Sequence, residues 1–175
     1  RKTRYKRAMA DPPAPDPCIR IPLPDLAATA TLAARLAGIV RAGDVIALGG
    51  GLGAGKTAFA CAFIAAVAGL AGAAREEVPS PTFTLVQSYP FAHLTVHHFD
   101  LYRIDRPEDA FELGIEDAFV TGVSLIEWPD RLGGLLPPDR LELELCPAAE
   151  PGARMAEITG HGDWPDRLVG VVCGG

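Results

Sequence analysis

Apolar positions along this chain recur at two spacings, and the changes between them divide it into elements. Ile19-Arg20-Ile21-Pro22-Leu23 reads as a short edge strand. Asp25 then stands as an N-cap before Leu26, Thr29, Leu32, Ala33, Leu36 and Val40, which recur at helical spacing up to Gly43. Asp44 to Leu48 is a buried-type strand, and Thr57 to about Leu70 is an alanine-rich helix carrying Phe59, Phe63, Ile64 and Val67. Gly69 to Pro81 is a Gly/Ala/Pro loop. Strands are expected over Thr82 to Tyr89 and Leu94 to Phe99, and short helices over Pro107 to Phe111 and Ile115 to Val120. Val123 to Ile126 is a continuous apolar strand that ends in Glu127-Trp128. Arg140 to Leu145 alternates Leu and Glu, the mark of a half-exposed strand, and Met155 to Thr159 is its expected partner. No internal repeat is present. Strands alternating with helices predict an α/β fold with a mixed, mostly parallel sheet.

Composition changes this picture at the ends. Residues 1–17 join a basic start to the proline-rich stretch Asp11 to Pro17, which is hostile to helix. No apolar segment follows the basic residues, so 1–17 reads as an unstructured leader and not as a signal peptide. Residues 18–160 form the expected single domain, and 161–175 a C-terminal tail with no assigned function. Hydrophobic residues make up 49% of the 175, enough for one core. No run of about 18 uncharged apolar residues occurs, so no membrane span is expected. Cys18, Cys61, Cys146 and Cys173 show neither C-x-x-C nor zinc spacing and fit plain thiols of a reducing cytoplasm. Beyond residue 7 the chain carries eleven basic side chains against 22 acidic ones. Such a body is a poor nucleic-acid binder on its own, since phosphate contacts need clustered Lys and Arg.

The chemistry concentrates where the second strand meets its helix. Gly50-Gly51-Leu52-Gly53-Ala54-Gly55-Lys56-Thr57 is a complete G-x-x-x-x-G-K-[ST] phosphate-binding loop in the strand–loop–helix context that it requires. Lys56 is the single lysine after the leader, in a chain that otherwise uses arginine. A loop whose amides wrap phosphates has room for a compact ammonium and little for a planar guanidinium. Gly50, Leu52, Gly53, Ala54, Gly55, Lys56 and Thr57 are therefore the expected nucleotide-binding residues in a three-layer P-loop NTPase-like fold. Lys56 would neutralise β/γ-phosphate charge, and the Thr57 hydroxyl would ligate Mg²⁺. Such a site also needs a carboxylate at the end of a neighbouring apolar strand. Glu127 is favoured for Mg²⁺, directly or through water, and Asp100 for the outer coordination or the attacking water. Asp100 also fits a turn acid before Leu101-Tyr102-Arg103. Arg103 could stabilise transition-state charge or pair with Asp100 or Glu112. Adjacent on one strand, His97 and His98 should point to opposite faces and make a poor metal pair. The chain holds no asparagine, which rules out an N-K-x-D guanine motif and a protein-kinase catalytic Asn, and its sole glutamine is Gln87. ATP is the better nucleotide.

Five segments in order resemble the TsaE (YjeE) family of bacterial P-loop ATPases: Gly50 to Thr57, Ser80-Pro81-Thr82-Phe83-Thr84-Leu85-Val86, His98-Phe99-Asp100-Leu101-Tyr102-Arg103, Leu113-Gly114-Ile115, and Ile126-Glu127-Trp128-Pro129. The likeness runs from about Ile21 to Leu145. It implies a weak, Mg²⁺-dependent ATPase required for threonylcarbamoyladenosine at position 37 of tRNA. It also implies stimulation by the TsaB–TsaD complex, with tRNA reached only through those partners. On that resemblance Lys56, Asp100 and Glu127 would be catalytic, Thr57 and Glu127 would hold metal, and Ser80, Thr82 and Thr84 would belong to a switch near the γ-phosphate. Trp128 would lie by the nucleotide or a partner surface, or anchor the core. One residue departs from the family pattern: Gly51 stands where an acid is usual. A small P-loop kinase or transferase acting on a metabolite is the competing expectation.

Overall fold

A computed structural model describes residues 18–73 and 80–172. The leader, Cys173 and the middle of the Gly69 to Pro81 loop lie outside the described residues. Seven strands form one sheet: β1 (Cys18–Leu23), β2 (Val45–Gly49), β3 (Val86–Pro90), β4 (Thr95–Asp100), β5 (Val123–Glu127), β6 (Leu141–Pro147) and β7 (Arg154–Gly160). Their order across the sheet is β1-β7-β6-β2-β5-β4-β3. The central four, β6, β2, β5 and β4, run parallel, and the outer three pair antiparallel. The fold is α/β with a mixed sheet.

Helices α1 (Leu26–Ala37), α2 (Lys56–Leu70) and α4 (Trp164–Val172) cover one face. The shorter α3 (Ile115–Thr121) covers the other, with 3₁₀ segments at Pro107–Leu113 and Pro129–Leu135. The alternation of β2 assigns its side chains to both layers: Ile46 and Leu48 join Phe59, Phe63 and Ile64 of α2, and Val45 joins Phe99 and Ile126. Alanine's high propensity sustains α2, and its buried aromatics anchor it, each worth about 3–5 kcal/mol against Ala. No helix among the described residues is long and apolar enough to cross a membrane.

Two expectations need correction. The strand expected from Thr82 begins only at Val86. Leu85 has a left-handed φ of 63°, its N–H donates to Pro81 O at 2.7 Å, and its carbonyl accepts from Asp100 N. These bonds coil residues 81–85 into a turn, although Thr and Phe favour strand. The segment expected to be a tail instead contributes α4, whose Trp164, Leu168 and Val171 are buried in the main core. Pro165 lies in the first turn of α4, where proline is tolerated.

Candidate functional site

The carboxyl ends of the parallel strands open onto a cavity of about 350 Å³, within the range of ligand pockets. Residues 52–58 form one wall, and Thr82, Asp100, Tyr102, Arg103, Glu127 and Trp128 the others. The loop leaves β2 through Gly50, whose φ is 121° and where a Cβ would lie 2.5 Å from Leu145 O. It enters α2 through Gly55 at φ 109°. Only glycine takes both conformations without strain. The two long helices of this face start differently. Asp25 caps α1, its Oδ1 accepting from Ala28 N at 2.8 Å. Gly55 has no side chain with which to cap α2, and no acid sits in the first turn. The orphan amides at that helix start therefore face an anion-binding geometry.

Lys56 is 4% exposed. Its Nζ donates to the carbonyls of Gly50 at 2.6 Å and Gly51 at 2.8 Å, and sits 3.9 Å from the centre of the Trp128 ring. Burial pulls its ammonium below the usual lysine range, while Glu127, Asp100, Glu144 and Asp130 pull the other way. The Glu127 carboxylate is 2% exposed. Both its oxygens stand 2.9 Å from Thr57 Oγ1, and Oε1 also lies 2.8 Å from His98 Nε2. The register that pairs β4 with β5 places Asp100 beside Glu127 at neighbouring strand ends. Asp100 also accepts from Tyr102 N at 3.2 Å, so the turn role coexists with its place on the cavity wall.

Trp128 follows at φ 60°, a conformation that costs a non-glycine residue about 1–2 kcal/mol. The left-handed turn swings its ring back over Lys56 and against Tyr102, 4.9 Å between centroids. The ring also packs against the Phe99–Ile126 cluster, so site and core share it. Of the expected switch residues, Thr82 lines the cavity and Ser80 Oγ is bonded to its hydroxyl at 2.7 Å, whereas Thr84 points outward. Arg103 pairs with neither Asp100 nor Glu112 and lies over the Phe83 ring at the cavity edge.

Two further residues escape sequence reasoning. His98 reaches Glu127 because β4 and β5 are neighbours, which no local pattern states. Arg154 donates from Nε to Ala54 O at 2.9 Å and from Nη2 to Gly53 O at 3.1 Å, bracing the loop from behind. Its partners lie about a hundred residues away and are carbonyls, so no motif marks them.

The donor set fits a small hard cation. A hydroxyl and a carboxylate converge, and no group of three His, Cys, Asp or Glu side chains among the described residues could hold a metal alone. Mg²⁺ is commonly held in this way, by one or two protein oxygens completed by phosphates and water.

The fold and this site define an α/β protein of the strand–glycine loop–helix kind, with carboxylates at the neighbouring strand ends. Residues 23–155 match the family described as "Threonylcarbamoyl adenosine biosynthesis protein TsaE". The chain belongs to that family. It is similar to the curated "tRNA threonylcarbamoyladenosine biosynthesis protein TsaE" of Rickettsia felis, 39% identical over 67% of this chain and 66% of that protein. The chain thus spans just under two thirds of that relative's length. The namesake from Treponema pallidum is 39% identical over 69% of this chain and 83% of its own. Among solved structures, YdiB of Bacillus subtilis superposes with a TM-score of 0.70 at 28% identity, covering 88% of this chain and 93% of that one.

Proposed function

We propose that this chain binds ATP with Mg²⁺ in the cavity, hydrolyses it slowly, and acts in the cytoplasm with the TsaB–TsaD complex to make threonylcarbamoyladenosine at position 37 of tRNA. The observation that carries this reading is the uncapped start of α2, with Lys56 and Thr57 in its first turn and Asp100 and Glu127 across the cavity. The loop amides and Lys56 cradle the phosphates, Lys56 exchanging the Gly50 and Gly51 carbonyls for β/γ oxygens. Thr57 and Glu127 hold the metal. Bound Mg²⁺ neutralises charge on the β- and γ-phosphates. Asp100 keeps one oxygen on the Tyr102 amide and offers the other to the attacking water. The acidic body leaves contact with tRNA to the partner proteins.

A metabolite kinase calls for arginines closing over the phosphates. Arg106 is instead tied to Asp109, and Arg103 lies on Phe83. The test is ATP turnover with and without TsaB–TsaD and tRNA from the same organism. The expected result is slow turnover alone and marked stimulation by the complex. Absence of stimulation together with phosphate transfer to a small metabolite overturns the reading. Glu127→Ala is expected to keep the fold and lose Mg²⁺-dependent hydrolysis, and unchanged hydrolysis would remove Glu127 from the site.

A further inference from the structure

His98 sits on the same face of β4 as Asp100, two residues before it, and is fully buried. Its Nε2 has one partner, Oε1 of Glu127 at 2.8 Å, and its Nδ1 has none. An ionised carboxylate only accepts, so Nε2 carries the proton in that bond. The ring belongs to a strand held by register on both sides, which fixes the direction from which this hydrogen arrives. Glu127 also meets the Thr57 hydroxyl and the charge of Lys56, both on the glycine-loop helix. A carboxylate free to turn could satisfy itself on the Lys56 ammonium and withdraw both groups from phosphate and metal.

We propose that His98 is a positioning residue that occupies one oxygen of Glu127 and thereby presents the carboxylate to Mg²⁺ beside Thr57, leaving Lys56 to the phosphates. The inference rests on the Mg²⁺–nucleotide reading above and assigns the orientation of its metal acid to a residue which itself touches neither metal nor nucleotide. Outer partners of this kind commonly change metal affinity by about 10–100-fold when removed. The bond is also specific in reach. A glutamine amide extends to about where Nε2 lies, whereas an asparagine amide stops near Nδ1.

The experiment is a Mg²⁺ titration of fluorescent ATP-analogue binding to the full chain, comparing the parent with His98→Gln, His98→Asn and His98→Phe. Circular dichroism and thermal melts report the fold of each. The expected result is a Mg²⁺ midpoint raised about 10–100-fold in His98→Phe and His98→Asn and restored to within about three-fold in His98→Gln. Analogue affinity in EDTA should also fall in His98→Phe and His98→Asn, because Glu127 draws Lys56 off the phosphates, and return to within about two-fold of the parent in His98→Gln. The Asn and Gln pair carries the test if the Phe variant does not fold, because both bury an amide and differ only in reach. Parent-like Mg²⁺ midpoints in folded His98→Asn overturn the proposal. So does a loss of EDTA-measured affinity that Gln fails to restore, which marks a merely structural histidine. A parent that binds the analogue without any Mg²⁺ dependence, or not at all, brings down the functional reading itself and this inference with it.

Discussion

Gly51 shows how one side chain could alter the cavity without altering the loop. Unlike Gly50, Gly53 and Gly55 it has no positive φ, and a Cβ there would meet no atom within 4 Å. A carboxylate is therefore sterically admissible at this position, and the usual family acid is missing for no reason the loop imposes. Gly51→Asp should change unfolding free energy by no more than about 0.5 kcal/mol, the range of unconstrained surface substitutions, as read by denaturant unfolding. Its added charge would stand beside the phosphates. Affinity for ATP in EDTA should fall about two- to ten-fold by like-charge repulsion, and saturating Mg²⁺ should recover most of that loss. Equal losses with and without Mg²⁺ would show distortion of the loop instead. Trp128 illustrates the opposite case: its left-handed backbone is what brings the ring over Lys56, so position and strain come together there.

At the scale of elements, the glycine loop depends on a strand that is distant in sequence. The Arg154 guanidinium at the start of β7 holds the Gly53 and Ala54 carbonyls, so the loop that walls the cavity is fastened through its own backbone. Arg154→Met keeps much of the stem and removes both bonds. The expected outcome is a loss of about 1–3 kcal/mol in stability, from carbonyls left short of partners, with ATP affinity lowered about ten-fold by the looser loop. Unfolding curves and calorimetric titration would measure the two effects, and unchanged affinity would show that the loop holds its shape unaided. This dependence explains what could be read in advance. The β2–loop–α2 unit and the acid closing β5 were legible because a contiguous motif and an unbroken apolar run mark them. Arg154 and His98 were not, because their partners are set by sheet order, which the local pattern of hydrophobic residues does not contain. Residues 82–85 misread for a related reason: their β propensity is overridden by the bonds from Leu85 to Pro81 and Asp100.

Across the whole molecule, the anchor of α4 and the candidate chemistry occupy opposite ends of β2. The helix α4, unrecognised in the sequence, closes the core through Trp164, Leu168 and Val171, and Arg167 ties it down. That guanidinium donates to both carboxylate oxygens of Asp44 and to Ile39 O, with only 10% and 12% of the Arg167 and Asp44 side chains exposed. The hydrogen bonds to Asp44, then Asp44's charge and that of Asp163, raise the guanidinium above its ordinary pKa, against burial. Arg167 therefore stays charged throughout the working pH range. Asp44 immediately precedes β2, and the glycine loop leaves the other end of that strand, about 16 Å away for five extended residues. Removing one partner of a largely buried pair leaves the other uncompensated, so Arg167→Ala should cost about 3 kcal/mol or more in unfolding free energy. Because the parallel strands between the two ends remain paired, nucleotide affinity measured below the melting transition should stay within about two-fold of the parent. Arg154→Met should lose both affinity and stability, and Arg167→Ala stability alone. A fall in affinity in Arg167→Ala that tracks its lost stability would show that the cavity is not insulated from the far edge of the core.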